Sequence, residues 1–268
     1  MSLHTDILSS TSSKPADVSV PEFKSDSNGI MTKRTSFSVV TINHVQNRVE
    51  KVPIDKSLNP MFLEEIRVMK SLEDKGIDVG LLDYDEGENP KIVTRYFGSH
   101  KLGEAIETAS PRGKKNLITG LIEQVGTIHK AGWIHRDLKP DNIMVDLRPR
   151  DGNHRFDAII DYGIAMKINR KQMDSHNTAG TKFFGHSSQK ESDFNASTGQ
   201  DWFSLARIIA LIVRGSSVES LNAEIQMSQT GLDLGKELRG LGFEDVAADC
   251  LSKLIEEYRP ASIIVEGS

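Results

Sequence analysis

The ten-residue stretch WIHRDLKPDN, from Trp133 to Asn142, places one histidine, one arginine, one lysine, two aspartates and one asparagine around a proline. Phosphoryl transfer requires a carboxylate that orients and deprotonates a hydroxyl, cations close to the phosphates, and oxygen ligands for metal ions. Asp137 can act as the base, Lys139 can neutralise the moving group, and the side-chain oxygen of Asn142 can bind magnesium. The stretch therefore predicts phosphoryl transfer.

Eight consecutive residues of this stretch, HRDLKPDN, resemble the catalytic loop of the eukaryotic-type protein kinases. The lysine two places after the aspartate resembles the serine/threonine branch of that family rather than the tyrosine branch. Further matching segments follow in the family's order, and they are IIDYGIA at 159–165, TAGTKFFG at 178–185, DWFSLA at 201–206 and YRP at 258–260. The resemblance covers about residues 28–262.

The resemblance implies an α+β, bilobal fold, with a small β-rich N-terminal lobe at residues 28–97 that contains one helix and a larger, mainly helical C-terminal lobe at 98–268. It also implies that ATP and Mg²⁺ bind between the lobes and that a protein hydroxyl accepts the γ-phosphoryl group. Asp201 is expected to tie down the catalytic loop. The implied site residues are Asp137, Lys139, Lys51 and Glu65 for catalysis, Val40, Lys51, Thr94, Arg95, Phe97, Asn142 and Asp161 for the nucleotide, and Asn142 and Asp161 for the metal.

Two lysines, Lys51 and Lys56, follow a β-like run and are both candidates for contact with the ATP phosphates. Alternation places Val49 and Lys51 on the same side of one strand, whereas Pro53 interrupts the hydrogen bonding before Lys56. Lys51 lies 14 residues before Glu65, which leaves room for a strand end, a loop and a helical turn, and Lys56 lies only 9 residues before it. We therefore expect Lys51 to form the ion pair with Glu65.

The chain departs from the family's pattern where a glycine-rich loop belongs. The best match to G-x-G-x-x-G-x-V is KRTSFSVV, in which Lys33, Thr35 and Ser38 replace the glycines. Binding of phosphate by bare backbone is therefore in question. The side chains of Lys33 or Arg34 could bind phosphate instead, or the two could form a solvated basic turn. The family's APE is also missing, with HSS at 186–188 in its place.

Periodicity predicts the strands and helices that must position these residues. Before residue 98 the predicted strands are SFSVVTI, RVEKVPI, VGLLDYDEG and PKIVTRYFG, and the predicted amphipathic helix is PMFLEEIRVMKSLEDKG. After residue 98 the predicted helices are NLITGLIEQVGTIHKAG, DWFSLARIIALIV and EDVAADCLSKLIEE, and the predicted strands are IMVDL and RFDAIID. The turn RPRDGNHR at 148–155 is interpreted as a solvated hairpin tip.

Several polar residues near the loop have two interpretations. His135 and Tyr162 are expected to pack behind the loop without a chemical role. Asp141 is either a solvated carboxylate or faces a basic residue of the substrate. We also expect Ser175 or Thr178 to be phosphorylated, because Arg136 precedes the catalytic aspartate and could pair with a phosphate on the following segment.

Composition limits the classes of function. A formal net charge of −5 and a pI near 5.9 argue against nucleic acid or an anionic membrane surface as the main partner. The longest apolar run, IIALIV at 208–213, is far too short to cross a bilayer. The single cysteine, Cys250, excludes an internal disulfide and favours a reducing, cytoplasmic compartment.

The N-terminal residues 1–27 are rich in serine, proline and acidic residues and have no continuous apolar stretch. This composition predicts a disordered tail rather than an export signal. The tail is either simply tolerated or serves as the secretion address of a bacterial effector, which would act inside a host cell.

Besides a serine/threonine kinase, three other functions are compatible with part of the sequence. Small-molecule kinases of the aminoglycoside or choline type generally show HGD or HND, and Arg136 and Lys139 argue against them. A pseudokinase that acts as a binding module would account for the missing glycines, but it has no chemical reason to keep Asp137, Lys139, Asn142 and Asp161 together. A nucleic-acid-binding protein is disfavoured by the acidic balance.

Overall fold

The computed structural model describes residues 24–25, 29–97, 100–148, 150–170, 196–215 and 234–245. Strands dominate the chain up to Arg95 and helices dominate it from Leu102 onward. The result is the expected bilobal α+β fold, with a sheet-based part before the catalytic stretch and a helical part around and after it. Residues 98–99, where we predict the lobe boundary, lie outside the described residues.

The N-terminal part is built on one six-stranded sheet in which neighbouring strands are antiparallel. The first two predicted strands, SFSVVTI and RVEKVPI, form a hairpin as β3 (Ser38–Asn43) and β4 (Arg48–Pro53), and Asn47 in its turn has a φ of +53°. In spatial order the strands are β1 (Lys24–Ser25), β2 (Ile30–Arg34), β3 (Ser38–Asn43), β4 (Arg48–Pro53), β6 (Lys91–Arg95) and β5 (Leu81–Asp85).

The N-terminal helix, α1 (Asn59–Glu73), buries the stripe that its sequence predicts. Phe62, Ile66 and Met69 are at most 4% exposed and belong to the main hydrophobic core. Glu65 lies on the same buried face and is only 3% exposed. Because buried carboxylates need a partner, the packing of α1 itself requires a cation next to Glu65.

The C-terminal part combines helices with short strands. Its described helices are α2 (Leu102–Ile106), α3 (Pro111–Lys130), α4 (Thr198–Arg214) and α5 (Leu234–Gly240). Its described strands are β7 (His100–Lys101), β8 (Trp133–Ile134), β9 (Ile143–Asp146), β10 (Arg155–Ile159) and β11 (Met166–Lys167). They form a three-stranded sheet, β10-β9-β7, and a two-stranded sheet, β11-β8. The residues HRDLKPDN, called the catalytic stretch below, lie between β8 and β9.

Helix α3 begins five residues before the predicted start at Asn116. Ser110 caps it by accepting a hydrogen bond from Gly113 N at 3.1 Å, and Pro111 occupies the first turn. Both residue types are favoured at these positions, so the signal was present in the sequence. Helix α4 is buried on nearly all sides, as its apolar sequence predicts.

The interpretation of residues 148–155 as a solvated hairpin tip is wrong for Gly152 and His154, which are buried, whereas Arg148, Arg150, Asp151 and Arg155 are exposed. Gly152 O accepts a hydrogen bond from Ser110 N at 2.9 Å, and His154 is 1% exposed. The ring of His154 accepts from Arg148 N at 2.9 Å through Nδ1, so neutral His154 donates through Nε2 to Thr108 Oγ1, also at 2.9 Å. Burial lowers the pKa of His154, which favours this neutral form. The tip docks because Thr108 and Ser110, just before α3, offer hydrogen-bond partners to it. The polar sequence of the tip does not predict this contact.

Two glycines of α3 provide a test of this docking. A Cβ atom at Gly113 would lie 2.1 Å from Gly152 O, whereas a Cβ atom at Gly126 would have no neighbour within 4 Å. We expect Gly113→Ala to lower the free energy of unfolding by about 1–3 kcal/mol through overpacking. Gly126→Ala is expected to raise it by roughly 0.5–1 kcal/mol because alanine loses less entropy in a helix. Urea denaturation of both variants measures the difference, and shifts of the same sign would contradict it.

The tail at residues 1–27, expected to be disordered, contains the strand β1 (Lys24–Ser25). This strand pairs with β2, and the sequence did not predict that pairing. Cys250 and the predicted helix EDVAADCLSKLIEE lie mostly or wholly outside the described residues, as does the segment 171–195. Among the helices that the structure describes, none is long and apolar enough to cross a membrane.

Candidate active site

One face of the N-terminal sheet presents the residues predicted to surround ATP. Val40 of β3 pairs with Lys51 of β4, and Val49 of β4 pairs with Thr94 of β6. Residues that pair directly across antiparallel strands share a face, and so do residues two apart in one strand. Val40, Lys51 and Thr94 therefore lie on the same face of the sheet, and this is the face that meets α1.

Lys51 links this sheet to both other parts of the site. Its Nζ lies 3.0 and 2.9 Å from the two carboxylate oxygens of Glu65 and 2.8 Å from Asp161 Oδ1. The predicted ion pair with Glu65 is thus present, and Lys56 lies instead in the short 3-10 turn Lys56–Leu58 before α1. A single cation bridges a carboxylate of α1 and a carboxylate that follows β10.

The electrostatics of this triad favour a charged lysine. Burial favours the neutral amine of Lys51, but the carboxylates of Glu65 and Asp161 outweigh it and raise the pKa of Lys51. At Glu65 the effect of burial is larger than the attraction of Lys51, so the pKa of this carboxyl group is raised. The charge of Lys51 is the main cause that lowers the pKa of Asp161, so Asp161 is ionised at neutral pH and able to bind a cation.

The catalytic stretch is held in place by Asp201, in the first turn of α4. Its carboxylate accepts hydrogen bonds from the backbone amides of His135 and Arg136, each at 2.8 Å, and lies 2.8 Å from His129 Nε2. Burial favours a neutral Asp201, but the contacts with His129 and His135 outweigh it and lower the pKa of Asp201. The predicted anchor is therefore present, and His129, in the last turn of α3, is a partner that sequence reasoning missed.

His135 links the backbone at Asp137 to the backbone next to Asp161, the two aspartates of the candidate site. Its Nε2 donates to Ile160 O at 3.1 Å, next to Asp161, and its Nδ1 accepts from Asp137 N at 3.3 Å. The ring is fully buried and meets Tyr162 edge-on at 5.0 Å between centroids. Packing behind the loop is thus confirmed for both aromatic residues, and His135 additionally fixes the positions of Asp137 and Ile160 relative to each other.

The polar groups at the mouth of the loop converge on Asp137. Lys139 Nζ lies 2.6 Å from Asp137 Oδ2, and Asn142 Nδ2 donates to Asp137 O at 2.9 Å and to Asp137 Oδ2 at 3.1 Å. Asp137 and Lys139 retain 14% and 22% side-chain exposure, which lets both meet a molecule in the cleft. The amide nitrogen of Asn142 faces Asp137, so its side-chain oxygen is not used in that contact.

Two of the four described non-glycine residues with a positive φ belong to this site. Arg136 and Asp161 have φ values of +70° and +68°, in the left-handed region that non-glycine residues rarely adopt. Each such residue costs roughly 1–3 kcal/mol and persists only where its surroundings hold it. Asp201 stabilises the strained backbone of Arg136 by accepting a hydrogen bond from its amide. Lys51 stabilises that of Asp161 through its side chain.

The backbone of Arg95 and Phe97, at the end of β6 and just after it, is predicted to hydrogen-bond adenine, and this stays a prediction. Arg95 N donates to Gly80 O at 2.8 Å, while Gly80 N donates to Asp78 Oδ1 at 2.9 Å rather than back to Arg95. A contact from Arg95 to adenine would therefore use its carbonyl oxygen. The side chain of Phe97 is 5% exposed and packs on Met144 and Ala158, and a Cβ atom on Gly80 would lie 2.3 Å from its ring.

Two further ion pairs lie next to the site. Lys101 Nζ lies 2.7 Å from Asp141 Oδ1, so Asp141 is paired within the chain and also 67% exposed. Arg170 Nη1 lies 3.1 Å from Glu64, the neighbour of Glu65 on α1. Sequence reasoning missed both pairs, because the partners are 40 and 106 residues apart.

The predicted pairing of Arg136 with a phosphate stays a prediction. Arg136 is 1% exposed and its Nη1 donates to Ile164 O at 3.3 Å. Burial, opposed by Asp201, lowers its pKa to about 10, so the guanidinium remains charged at neutral pH. Ser175, Thr178, the segment TAGTKFFG and the residues YRP lie outside the described residues.

The residues predicted to hold Mg²⁺ fit that ion. Asp161 offers an ionised, 46% exposed carboxylate, and Asn142 offers an amide oxygen. Carboxylate and amide oxygens suit a hard divalent cation, which commonly keeps several waters and binds phosphates as well. Asn142 and Asp161 are therefore a suitable protein ligand set for Mg²⁺ beside a nucleotide.

Comparison with known proteins agrees with this arrangement. A family model described as "Protein kinase domain" matches residues 32–239, and the chain belongs to the protein kinase family. The Cydia pomonella granulovirus kinase PK-1 is similar in structure, with a TM-score of 0.51 and 16% identity over 73% of this chain and 69% of the viral one. At that identity the likeness shows the fold.

Relatives of this chain include bacterial kinases. The serine/threonine-protein kinase AfsK of Streptomyces coelicolor is 29% identical over 130 residues, which cover 47% of this chain and 15% of AfsK. The probable serine/threonine-protein kinase PkwA of Thermomonospora curvata is 30% identical over 142 residues, which cover 51% of this chain and 18% of PkwA. The matched part is thus less than a fifth of the length of either relative.

Proposed function

We propose that the protein is a serine/threonine protein kinase that transfers the γ-phosphoryl group of ATP to a hydroxyl group of a protein. The observation that supports this most directly is the Lys51 bridge between Glu65 and Asp161. It places a charged amine and an ionised carboxylate side by side in the cleft, where a phosphate chain with its metal ion needs both. The names of the relatives favour serine or threonine as the acceptor.

The residues of the chain divide the work of the reaction. Lys51 binds the phosphates, and Asn142 and Asp161 hold Mg²⁺, which when bound neutralises charge on the phosphate oxygens. Asp137 orients the substrate hydroxyl and takes its proton as the new P–O bond forms. The bond between the γ-phosphorus and the oxygen of the leaving ADP then breaks. Lys139, 2.6 Å from Asp137, stabilises the negative charge of the moving group.

The alternatives remain a pseudokinase and a small-molecule kinase. The first is favoured by the missing glycines of the phosphate loop, and the second shares the bilobal plan. Against a small-molecule kinase stand Arg136 and Lys139, in place of the residues of HGD or HND. Against a pseudokinase, Lys139 and Asn142 both contact Asp137, and Lys51 contacts Asp161. A binding module has no need for this chemical set.

The test is incubation of the full chain with Mg²⁺, γ-labelled ATP and a peptide library containing serine, threonine and tyrosine. We expect label on serine or threonine, and none when EDTA replaces Mg²⁺. Label on tyrosine only, or on an added aminoglycoside or choline, would show that the acceptor is not a serine or threonine hydroxyl group. ATP binding without any transfer, to peptide or to the protein itself, would establish the pseudokinase.

A further inference from the structure

The turn between β2 and β3, where the family has its glycine-rich loop, is closed by a side chain. Thr35 Oγ1 accepts hydrogen bonds from the amides of Phe37 at 3.2 Å and Ser38 at 2.9 Å. It also lies 3.0 Å from Ser38 Oγ and 3.2 Å from Ser38 O. Thr35 N donates to Ser38 O at 2.8 Å. The hydroxyl group of Thr35 is therefore the centre of the turn.

This closure changes what the turn can offer to a nucleotide. Glycine-rich loops bind phosphate oxygens through backbone N–H groups, which point at the ligand. Here the amides of Phe37 and Ser38 already donate to an oxygen, and a phosphate would have to displace Thr35 to receive them. Contact between this turn and phosphate is thus better supplied by a side chain.

Strand register distinguishes between the two basic residues next to the turn. Lys33 pairs with Val40, and Val40 pairs with Lys51, so these three residues form one row across the same face of the sheet. Arg34 pairs with Val39 and therefore lies on the opposite face. Burial agrees, since Lys33 is half-buried and Arg34 is exposed.

The distances along this row suit a shared ligand. Two strand spacings separate the backbones of Lys33 and Lys51, which amounts to about 10 Å. Lysine side chains are long and flexible point charges, and two of them on one face can contact different phosphates of the same chain. Arg34 lies on the other face of the sheet and is not part of this row.

We propose that Lys33 is a phosphate-binding residue of this kinase, and that its ammonium group replaces the backbone amides of a glycine-rich loop. The proposal rests on the proposed function, because it assigns a residue to the nucleotide site. It assigns Lys33 to the phosphates of ATP or ADP and gives Arg34 no part in binding.

The experiment measures ADP and adenosine affinity in Mg²⁺ by calorimetry for the full chain and three variants. Lys33→Met is expected to weaken ADP binding by about tenfold or more, the effect of losing one hydrogen bond to a charged group. Lys33→Arg keeps the charge and is expected to stay within about threefold of the wild type, and Arg34→Met within about twofold. Adenosine has no phosphate, so its affinity should be unchanged in all three.

The outcomes separate this inference from the proposed function. If the wild type binds ADP but Lys33→Met binds it equally well, or if Arg34→Met loses as much, the assignment of Lys33 is wrong and the kinase proposal stands. If Lys33→Met weakens adenosine as strongly as ADP, the side chain supports the pocket rather than the phosphates, and the assignment is again wrong. If the wild type binds neither molecule, both proposals fail.

Discussion

Asp161→Ala is expected to reduce phosphoryl transfer by about a thousandfold or more, because it removes charge stabilisation at the phosphates. Asp161 is the ionised ligand proposed for Mg²⁺ and the partner of Lys51 at 2.8 Å. It is 46% exposed, so its loss removes no core packing. Alanine also loses the Lys51 contact at a strained φ of +68°, a cost of roughly 1–3 kcal/mol that we expect the fold to tolerate. Labelled-ATP transfer measures the first effect and circular dichroism the second.

The matched control for this variant is Asp157→Ala. Asp157 lies four residues earlier, on β10, and its side chain is exposed. We expect transfer within about twofold of the wild type, as for surface substitutions away from the site. Near wild-type activity of Asp161→Ala would rule out the proposed metal-binding role, and equal losses in both variants would point to damage of β10.

Asp137→Asn is expected to lower the rate of transfer by between about a hundredfold and ten-thousandfold, the range for loss of a general base. Asparagine has nearly the same shape and can still contact Lys139 and Asn142, so positions in the loop should persist. ADP affinity should change little, because Asp137 is proposed to act on the hydroxyl and not on the nucleotide. Single-turnover kinetics and calorimetry measure the two quantities.

Asp141→Asn provides the control on the same loop. Asp141 is 67% exposed and paired with Lys101, and the ion pair of such exposed groups contributes little to stability. We expect its rate to stay within a few fold of the wild type, which is about 1 kcal/mol or less. An Asp137→Asn variant that retained the wild-type rate would show that another group accepts the proton.

The sequence alone determined the local features of this protein. The spacing of HRDLKPDN placed Asp137, Lys139 and Asn142 on one loop, where chain connectivity ensures that they meet. Period-two and period-3.6 patterns predicted the hairpin and α1, because burial of one face fixes both the element and its register. Alternation with chain spacing chose Lys51 over Lys56, and the ion pair with Glu65 is present.

Only the tertiary structure decided contacts between distant parts of the chain. His129 meets Asp201 across 72 residues, and the hairpin tip at Gly152 docks on Ser110. No local pattern encodes such pairs, because each residue alone has an ordinary solvated interpretation. Burial changes that balance, since a buried polar group must find a partner wherever the fold brings one.

The turn at Thr35 shows the same limit at short range. The sequence showed that the glycines were missing and left open whether Lys33 or Arg34 binds phosphate or whether both form a solvated basic turn. The structure separated them because pairing with Val40 or Val39 assigns opposite faces to neighbouring residues. Residue types determined which charges lie beside the turn, and strand register, which depends on pairing with β3 and β4, determined which of them shares the face of Lys51.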